Sequence, residues 1–280
     1  MRKINVDKIK NIVSELCIEA NISLRRDIYK AIVKALKKET NKRARRILGI
    51  LLENARIARR ESRALCQDTG IVCVYLQIGQ DVKLVGGDLR KSIDSGVEEG
   101  YKKGALRKSV VASPLVRVNT GTNTPSIIYT EIVKGDKLKI TVMPKGFGSE
   151  NKSKLVMLNP TQGEKDITSF ILEAVKEAGP DGCPPYILGI GLGGTFDKAS
   201  YLAKKGLISP IDRQNAKKHL RKLESSILKE VNKLGIGPMG LGGKTTCLGV
   251  NILEYPTHIA GLPVAVNVGC HITRSASRMI

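Results

Sequence analysis

Four short stretches of this 280-residue sequence gather residue types that can do chemistry. Cys66-Gln67-Asp68-Thr69-Gly70 sets a thiol beside an amide and a carboxylate. A free cysteine more often packs than reacts, yet Gln and Asp are costly to bury without a partner, so the stretch reads as either a packed junction or a site. Lys145-Gly146-Phe147-Gly148-Ser149-Glu150-Asn151-Lys152-Ser153 joins two glycines to a run of hydrogen-bonding side chains. Backbone N–H groups freed by glycine, with Lys145 nearby, can cradle a carboxylate or a phosphate; the plainer reading is a hydrophilic loop. Asn119–Pro125 (NTGTNTP) is a third polar, turn-forming stretch. The fourth is His258 followed by Cys270-His271-Ile272-Thr273-Arg274, where Val264–Val268 reads as a buried strand delivering Cys270 to its end.

Cysteines stand at positions 17, 66, 73, 183, 247 and 270. They are too few for a disulfide scaffold in a chain of this length, and each reads as a small core residue or a ligand. Cys66, Cys183 and Cys270 are separated by 117 and 87 residues, which no ferredoxin or zinc-finger spacing matches. Spacing alone leaves the metal question open.

Two glycine motifs invite a nucleotide reading. Gly189-Ile190-Gly191-Leu192-Gly193-Gly194 fits G-x-G-x-x-G after an apolar run and before a helical segment, but no clean βαβ unit with a terminal acidic residue follows. Gly237–Thr245 resembles a P-loop, except that Pro238 stands where its first glycine belongs.

The elements that must position these residues are a helical first third and a strand-rich middle. Val6, Ile9, Ile12, Val13, Leu16, Cys17 and Ala20 make one apolar stripe; Leu24–Lys38 makes a second and Asn41 to about Arg60 a third. From Gly70 the period shifts toward two, with strands expected at Ile71–Ile78, Ile127–Val133 and Leu138–Val142, the last two joined as a hairpin through Lys134-Gly135-Asp136. Helices are expected at Ile167–Ala178, Asp197–Lys205 and Asp212–Leu234, and strands around Val250 and Val264. The chain reads as one α+β domain over 1–280, a helical subregion (1–63) followed by a mixed α/β region (64–280) with antiparallel strands.

Composition frames the function. With 47 Lys and Arg against 26 Asp and Glu, the net charge is +21, which favours an anionic partner: nucleic acid, an acidic protein face, or a small carboxylate or phosphate. A Lys-rich solvated surface, as in heat-adapted proteins, is the plainer reading. Three Phe, seven Tyr and no Trp offer little for stacking single-stranded bases. No apolar run approaches the ~20 residues of a membrane span and no secretory h-region opens the chain, so a cytoplasmic protein is expected.

Taken in order, CQDTG (66–70), LRKSVVASPL (106–115), NTGTNTP (119–125), KGFGSENKS (145–153), GCPPY (182–186), MGLGGKTTCLG (239–249) and VNVGC (266–270) resemble the alpha subunit, or N-terminal domain, of class I iron–sulfur fumarate hydratase and its sister L-tartrate dehydratase. The resemblance spans about Ala64 to Arg274. It implies an iron–sulfur hydro-lyase alpha-type fold in which Cys66, Cys183 and Cys270 hold a [4Fe–4S] cluster while Cys17, Cys73 and Cys247 pack in the core. Three thiolates on a four-iron cube leave one iron without a protein ligand, able to act as a Lewis acid.

The same resemblance implies substrate contacts from Arg107, Gln67 and the Gly146, Phe147 and Gly148 backbone, and catalytic roles for Asp68 as proton carrier and for Gln67 and His258. The expected reaction is reversible hydration of fumarate to L-malate, a tricarboxylic acid cycle step, with dehydration of L-tartrate to oxaloacetate as the close alternative. A nucleotide-dependent oxidoreductase and a basic nucleic-acid-binding protein are the remote ones. Because the chain stops ten residues after Cys270, the remaining active-site groups are expected from a beta subunit, in an alpha2–beta2 heterotetramer with a small dicarboxylate as ligand and no role for nucleic acid or membrane.

Overall fold

The computed structural model describes residues 1–280. In chain order its elements are β1 (Arg2–Asn5), α1 (Val6–Ile22), α2 (Arg26–Lys38), α3 (Lys42–Arg60), β2 (Ile71–Gly79), β3 (Val82–Val85), α4 (Leu89–Lys103), β4 (Ile127–Val133), β5 (Leu138–Lys145), α5 (Phe147–Glu150), β6 (Lys154–Leu158), α6 (Glu164–Ala178), β7 (Tyr186–Gly193), α7 (Phe196–Gly206), α8 (Lys218–Lys233), β8 (Cys247–Tyr255), β9 (Leu262–Gly269) and β10 (Ala276–Met279). This is a mixed α/β chain, in line with the fold class expected. None of its helices is long and apolar enough to cross a membrane. The three N-terminal helical stripes form α1, α2 and α3; β1, β3, α4, β6 and β10 have no counterpart in the sequence reading.

The chain divides into two compact units: Met1–Arg25, Ala55–Phe147 and Arg274–Ile280 form the first, Arg26–Asn54 and Gly148–Thr273 the second. In the first, a mixed sheet of order β10-β5-β2-β4 lies beside a parallel β1-β3 pair. Asn5 caps α1 by accepting from Asp7 N–H at 2.8 Å, and Asp88 caps α4 by accepting from Lys91 N–H at 2.8 Å. The apolar stripe of α1 buries Ile9, Val13, Leu16 and Cys17 against Val74, Ile93, Val97 and Ile140, each large side chain there contributing roughly 1.5–3 kcal/mol relative to exposure. Gly96 and Gly100, one turn apart on α4, admit α1 closely: an added Cβ would stand 2.5 Å from Lys10 O and 2.7 Å from Ser14 O.

The expected hairpin does not form. β2 lies between β4 and β5, parallel to the first and antiparallel to the second. The end of β2 fills the gap under the connecting loop: Gln80 N–H donates to Val133 O, Asp81 N–H to Gly135 O, and Gly79 N–H to Lys137 O. A period of two identifies strands but not their partners, and here a distant strand takes the central place.

The second unit is a sheet of order β6-β9-β7-β8. Leu188, Ile190 and Leu192 of β7, with Val264, Val266 and Val268 of β9, bury against Ile171, Val175, Leu223 and Ile227 of α6 and α8. On the opposite face stand Gly189 and Gly191 of β7 and Ala265 of β9. A Cβ on Gly189 or Gly191 would lie 2.0 Å from the carbonyls of Ala203 and Ala199, and Ala199, Ala203 and Ala265 pack together there. The Gly189–Gly194 motif is therefore an alternating strand that lets the α7 backbone touch the sheet. Gly189 and Gly191 sit within β7, not in a phosphate-binding turn, which removes the motif behind the nucleotide-dependent oxidoreductase reading.

This packing makes Gly191→Ala severe. We expect it to lower stability by about 3 kcal/mol, at the upper end for overpacking, whereas Gly49→Ala, in the middle of α3 with nothing within 4 Å of the new Cβ, should raise it by about 0.5–1 kcal/mol. Denaturant-unfolding midpoints of the two variants check both signs.

Candidate functional site

The Cys66–Gly70 turn is pinned from four directions, all by residues of the first unit. Tyr101, the last buried residue of α4, donates its hydroxyl to Thr69 O at 2.5 Å and Gly70 O at 3.2 Å. Thr69 Oγ1 donates to Arg107 O at 2.6 Å. Asn123, wholly buried, donates its Nδ2 to Gly70 O at 3.2 Å while its Oδ1 accepts from Ser109 N–H at 2.7 Å. Gly70 has a φ of 76° and its Cα faces the Lys145 backbone so closely that a Cβ would meet it at 2.6 Å, so only glycine fits. Burial drives the Tyr101 phenol well above its ordinary range, which keeps it a hydroxyl donor.

Asp68 joins this turn to the next motif. Its Oδ1 accepts from Gly70 N–H at 2.9 Å and its Oδ2 from Phe147 N–H at 2.8 Å. A Cβ on Gly146 would lie 3.0 Å from Oδ2, so glycine at this position leaves room for the carboxylate. Arg274 closes the arrangement from the C-terminal segment, donating through Nη2 to the main-chain oxygen of Asp68 and through Nε to Pro144 O at 3.3 Å. Gln67, Arg107 and Phe147 are exposed, and Asp68 is half-buried. The structure thus gathers Cys66, Gln67, Asp68, Arg107, Gly146 and Phe147 on one side of the first unit. The polar NTGTNTP stretch braces them: besides Asn123, Asn119 donates its Nδ2 to Lys108 O at 2.9 Å.

In the second unit, Cys183 and Cys270 are neighbours because β7 and β9 are antiparallel, with Ile187 opposite Gly269. Cys183 enters β7 and Cys270 leaves β9 at the same end. The Cys183 carbonyl accepts from His271 N–H at 3.3 Å and lies 3.0 Å from His271 Nδ1; the Cys270 carbonyl accepts from Thr273 N–H at 2.9 Å and Thr273 Oγ1 at 2.7 Å. Cys183 has a φ of 58°, a left-handed conformation that costs a non-glycine residue on the order of 1–2 kcal/mol. His258 is elsewhere. It lies in the exposed loop between β8 and β9, beyond the pairing of Tyr255 with Gly193, and its Nδ1 accepts from Ala260 N–H at 3.1 Å. That is the opposite end of the sheet from Cys183 and Cys270, roughly 23 Å away at ~3.3 Å per residue of β7. The unit does not bring His258 to its cysteine pair.

The six thiols fall into two classes. Cys17, Cys73 and Cys247 are buried, at most 2% exposed; burial pushes the Cys17 thiol far up and that of Cys247 up to about 12. Cys66, Cys183 and Cys270 are half-buried and form no disulfide. No three metal-ligating side chains gather within either unit; Cys66 belongs to the first unit, Cys183 and Cys270 to the second.

A family model described as fumarate hydratase (Fumerase) matches residues 10–279. The chain belongs to the fumarate hydratase family. Members of this family are hydro-lyases, enzymes that add or remove water at a carbon–carbon bond. The chain is also similar, at 40% identity over 98% of both chains, to a protein of Methanocaldococcus jannaschii provisionally named L(+)-tartrate dehydratase subunit alpha. It is 27% identical, over 98% of its length and 91% of the relative's, to the L(+)-tartrate dehydratase subunit alpha of Escherichia coli strain K12.

The sequence reading did not single out Tyr101, Thr69, Asn123 and Arg274 as a supporting frame. Asn123 and Arg274 lie inside motifs that were named as wholes, and Tyr101 stands in a stretch where the sequence reading placed no element.

The division of thiols has a direct readout. With cluster-free native protein at pH 8, an alkylating reagent should label Cys66, Cys183 and Cys270 and leave Cys17, Cys73 and Cys247 unmodified until unfolding; a thiol of pKa near 12 is only about one part in ten thousand thiolate there. Peptide mass spectrometry before and after denaturation checks the pattern.

Proposed function

We propose that this chain is the alpha subunit of a two-chain hydro-lyase acting on a four-carbon dicarboxylate, with fumarate and L-malate as the first pair and L-tartrate as the second. The carrying observation is the partition of the thiols together with the Asp68 turn: three half-buried cysteines at family motifs, one of them two residues before the anchored Asp68. The relatives' names favour L-tartrate, and the family description favours fumarate.

The family is generally iron–sulfur dependent, and the donor set here suits such a group: three half-buried thiols at the family's motifs, one of them on a left-handed backbone. Cys66, Cys183 and Cys270 would hold a [4Fe–4S] cluster, which when bound supplies a Lewis-acidic iron for the substrate hydroxyl and carboxylate. The chain's own residues do the rest. Arg107, exposed beside the Thr69 anchor, binds a substrate carboxylate with a charge-assisted fork, and Gln67 donates its amide. Asp68 carries the proton that accompanies the C–O bond made or broken, its carboxylate aimed by the Gly70 and Phe147 amides. Because the Phe147 N–H is already engaged by Asp68, the Gly146–Gly148 backbone acts by orienting that carboxylate more than by cradling the substrate. His258 has no part in this scheme.

The relatives are named alpha subunits, which supports a beta subunit completing the site, in an alpha2–beta2 assembly in the cytoplasm. The whole of 1–280 then serves as one functional domain. The net charge of +21 suits steering of a dianion.

The test is anaerobic turnover of fumarate, L-malate and L-tartrate by the alpha–beta complex. Cys66→Ser, Cys183→Ser and Cys270→Ser should each lose iron and activity, whereas Cys247→Ser should retain iron; equal iron loss in Cys247→Ser would refute the ligand assignment. Arg107→Ala should keep its iron and lower kcat/KM by roughly 30-fold or more, as expected for a lost charged partner of a carboxylate. Unchanged kinetics would remove Arg107 from the substrate.

A further inference from the structure

We infer that Arg274 is a positioning residue for Asp68, an inference that rests on the hydro-lyase reading above. Arg274 is 4% exposed. Its Nε and Nη2 donate to Pro144 O and Asp68 O, while Nη1 is buried with no partner. Asp68 meets the guanidinium through its main-chain oxygen, so the hydrogen bonds of this buried cation go to carbonyls and not to a carboxylate. Removing such a charge from water is costly, and a packed apolar side chain of similar volume would serve stability as well or better. What the guanidinium alone can do is span two carbonyls with a planar fork.

Those carbonyls belong to the two segments that Asp68 joins on its other side. Pro144 leads into Lys145-Gly146-Phe147, whose Phe147 N–H holds Asp68 Oδ2. Arg274 therefore ties the Asp68 backbone to the segment that grips the Asp68 side chain. Gly146 leaves the space between them free: an added Cβ would lie 3.0 Å from Asp68 Oδ2 and 3.6 Å from Arg274 Nη2. Tyr101 donates to Thr69 O and Arg274 to the adjoining Asp68 O, which puts the cation inside the frame that pins the turn. Nη1 is shut off from solvent, so Arg274 works from behind the carboxylate instead of on the substrate. A proton carrier must lie within ~3 Å of its target, and misplacement by about 1 Å costs on the order of a hundredfold. Holding Asp68 from both sides is the contribution of Arg274.

The experiment uses the assembled alpha–beta complex with Arg274→Lys and Arg274→Met. Lysine keeps the charge but cannot fork to both carbonyls; methionine fills the space without charge, so folding of either variant suffices. Hydrogen exchange at the Gly70 and Phe147 amides, which report the two bonds to Asp68, should quicken by about tenfold, as expected for loss of one charge-assisted hydrogen bond, while amides of β9 stay unchanged. Per cluster, kcat should fall by about tenfold or more with KM within about twofold, and neither substitution should add to the loss caused by Asp68→Asn. Unchanged exchange at Gly70 and Phe147, or a loss additive to that of Asp68→Asn, overturns the inference. A wild-type complex that turns over none of the dicarboxylates refutes the hydro-lyase reading instead, and exchange alone then decides Arg274.

Discussion

Asp68 accepts from two backbone amides that lie 77 residues apart in the chain, Gly70 and Phe147, and the rest of the site is arranged so that it can. The Gly70 amide is available because Gly70 takes a left-handed conformation against the Lys145 backbone, where a side chain would collide. The Phe147 amide is available because it opens a short helical turn whose first N–H groups have no partner within the helix. Tyr101, Thr69 and Asn123 then spend their hydrogen bonds on the carbonyls of the turn and of its neighbour Arg107. Each bond is modest in net worth, about 1 kcal/mol, but their common effect is geometric: one carboxylate is left with a single place to be.

The thiols follow a different constraint. A cysteine in the core is desolvated and its thiolate disfavoured, as the raised Cys17 and Cys247 show, and Cys73 is buried as deeply. The half-buried three occupy turns and strand ends, and one of them holds a left-handed backbone at a cost. Strain of that kind persists only where the surroundings impose it. Here the Cys183 carbonyl is fixed by the His271 amide and the next turn by Met239 N–H on Pro184 O.

Much of this was legible in the sequence. Stripes at three and four residues mark α1, α2 and α3, because a helix buries one face whatever its partner. The motif order carries the family, and burial sorts the cysteines as the resemblance does. What was not legible is long-range. Ile127–Val133 and Leu138–Val142 read correctly as strands, yet the loop between them crosses over the end of β2, and nothing local announces a strand inserted from 50 residues upstream. Gly189–Gly194 carries a nucleotide-binding spelling, but the same glycines serve close packing when they alternate along a strand under a helix. Arg274 was quoted only as the tail of a cysteine motif; its role depends on two carbonyls more than 100 residues away.

Register also decides what the second unit can contribute. Antiparallel β7 and β9 bring the entry to one strand and the exit from the other to a common end, which is why cysteines 87 residues apart become neighbours. The parallel pairing of β7 with β8 sends the β8–β9 loop, and His258 with it, to the other end. No side-chain rotation can offset a separation of about 23 Å set by the length of a strand. Near the end of β8, Glu254 is bonded to Lys217 and His219, and its carboxyl is held low by those contacts, a solvated ionic surface in place of a desolvated site. The two half-buried thiols of this unit therefore share the end at which Cys183 takes its left-handed backbone, while His258 keeps to the other.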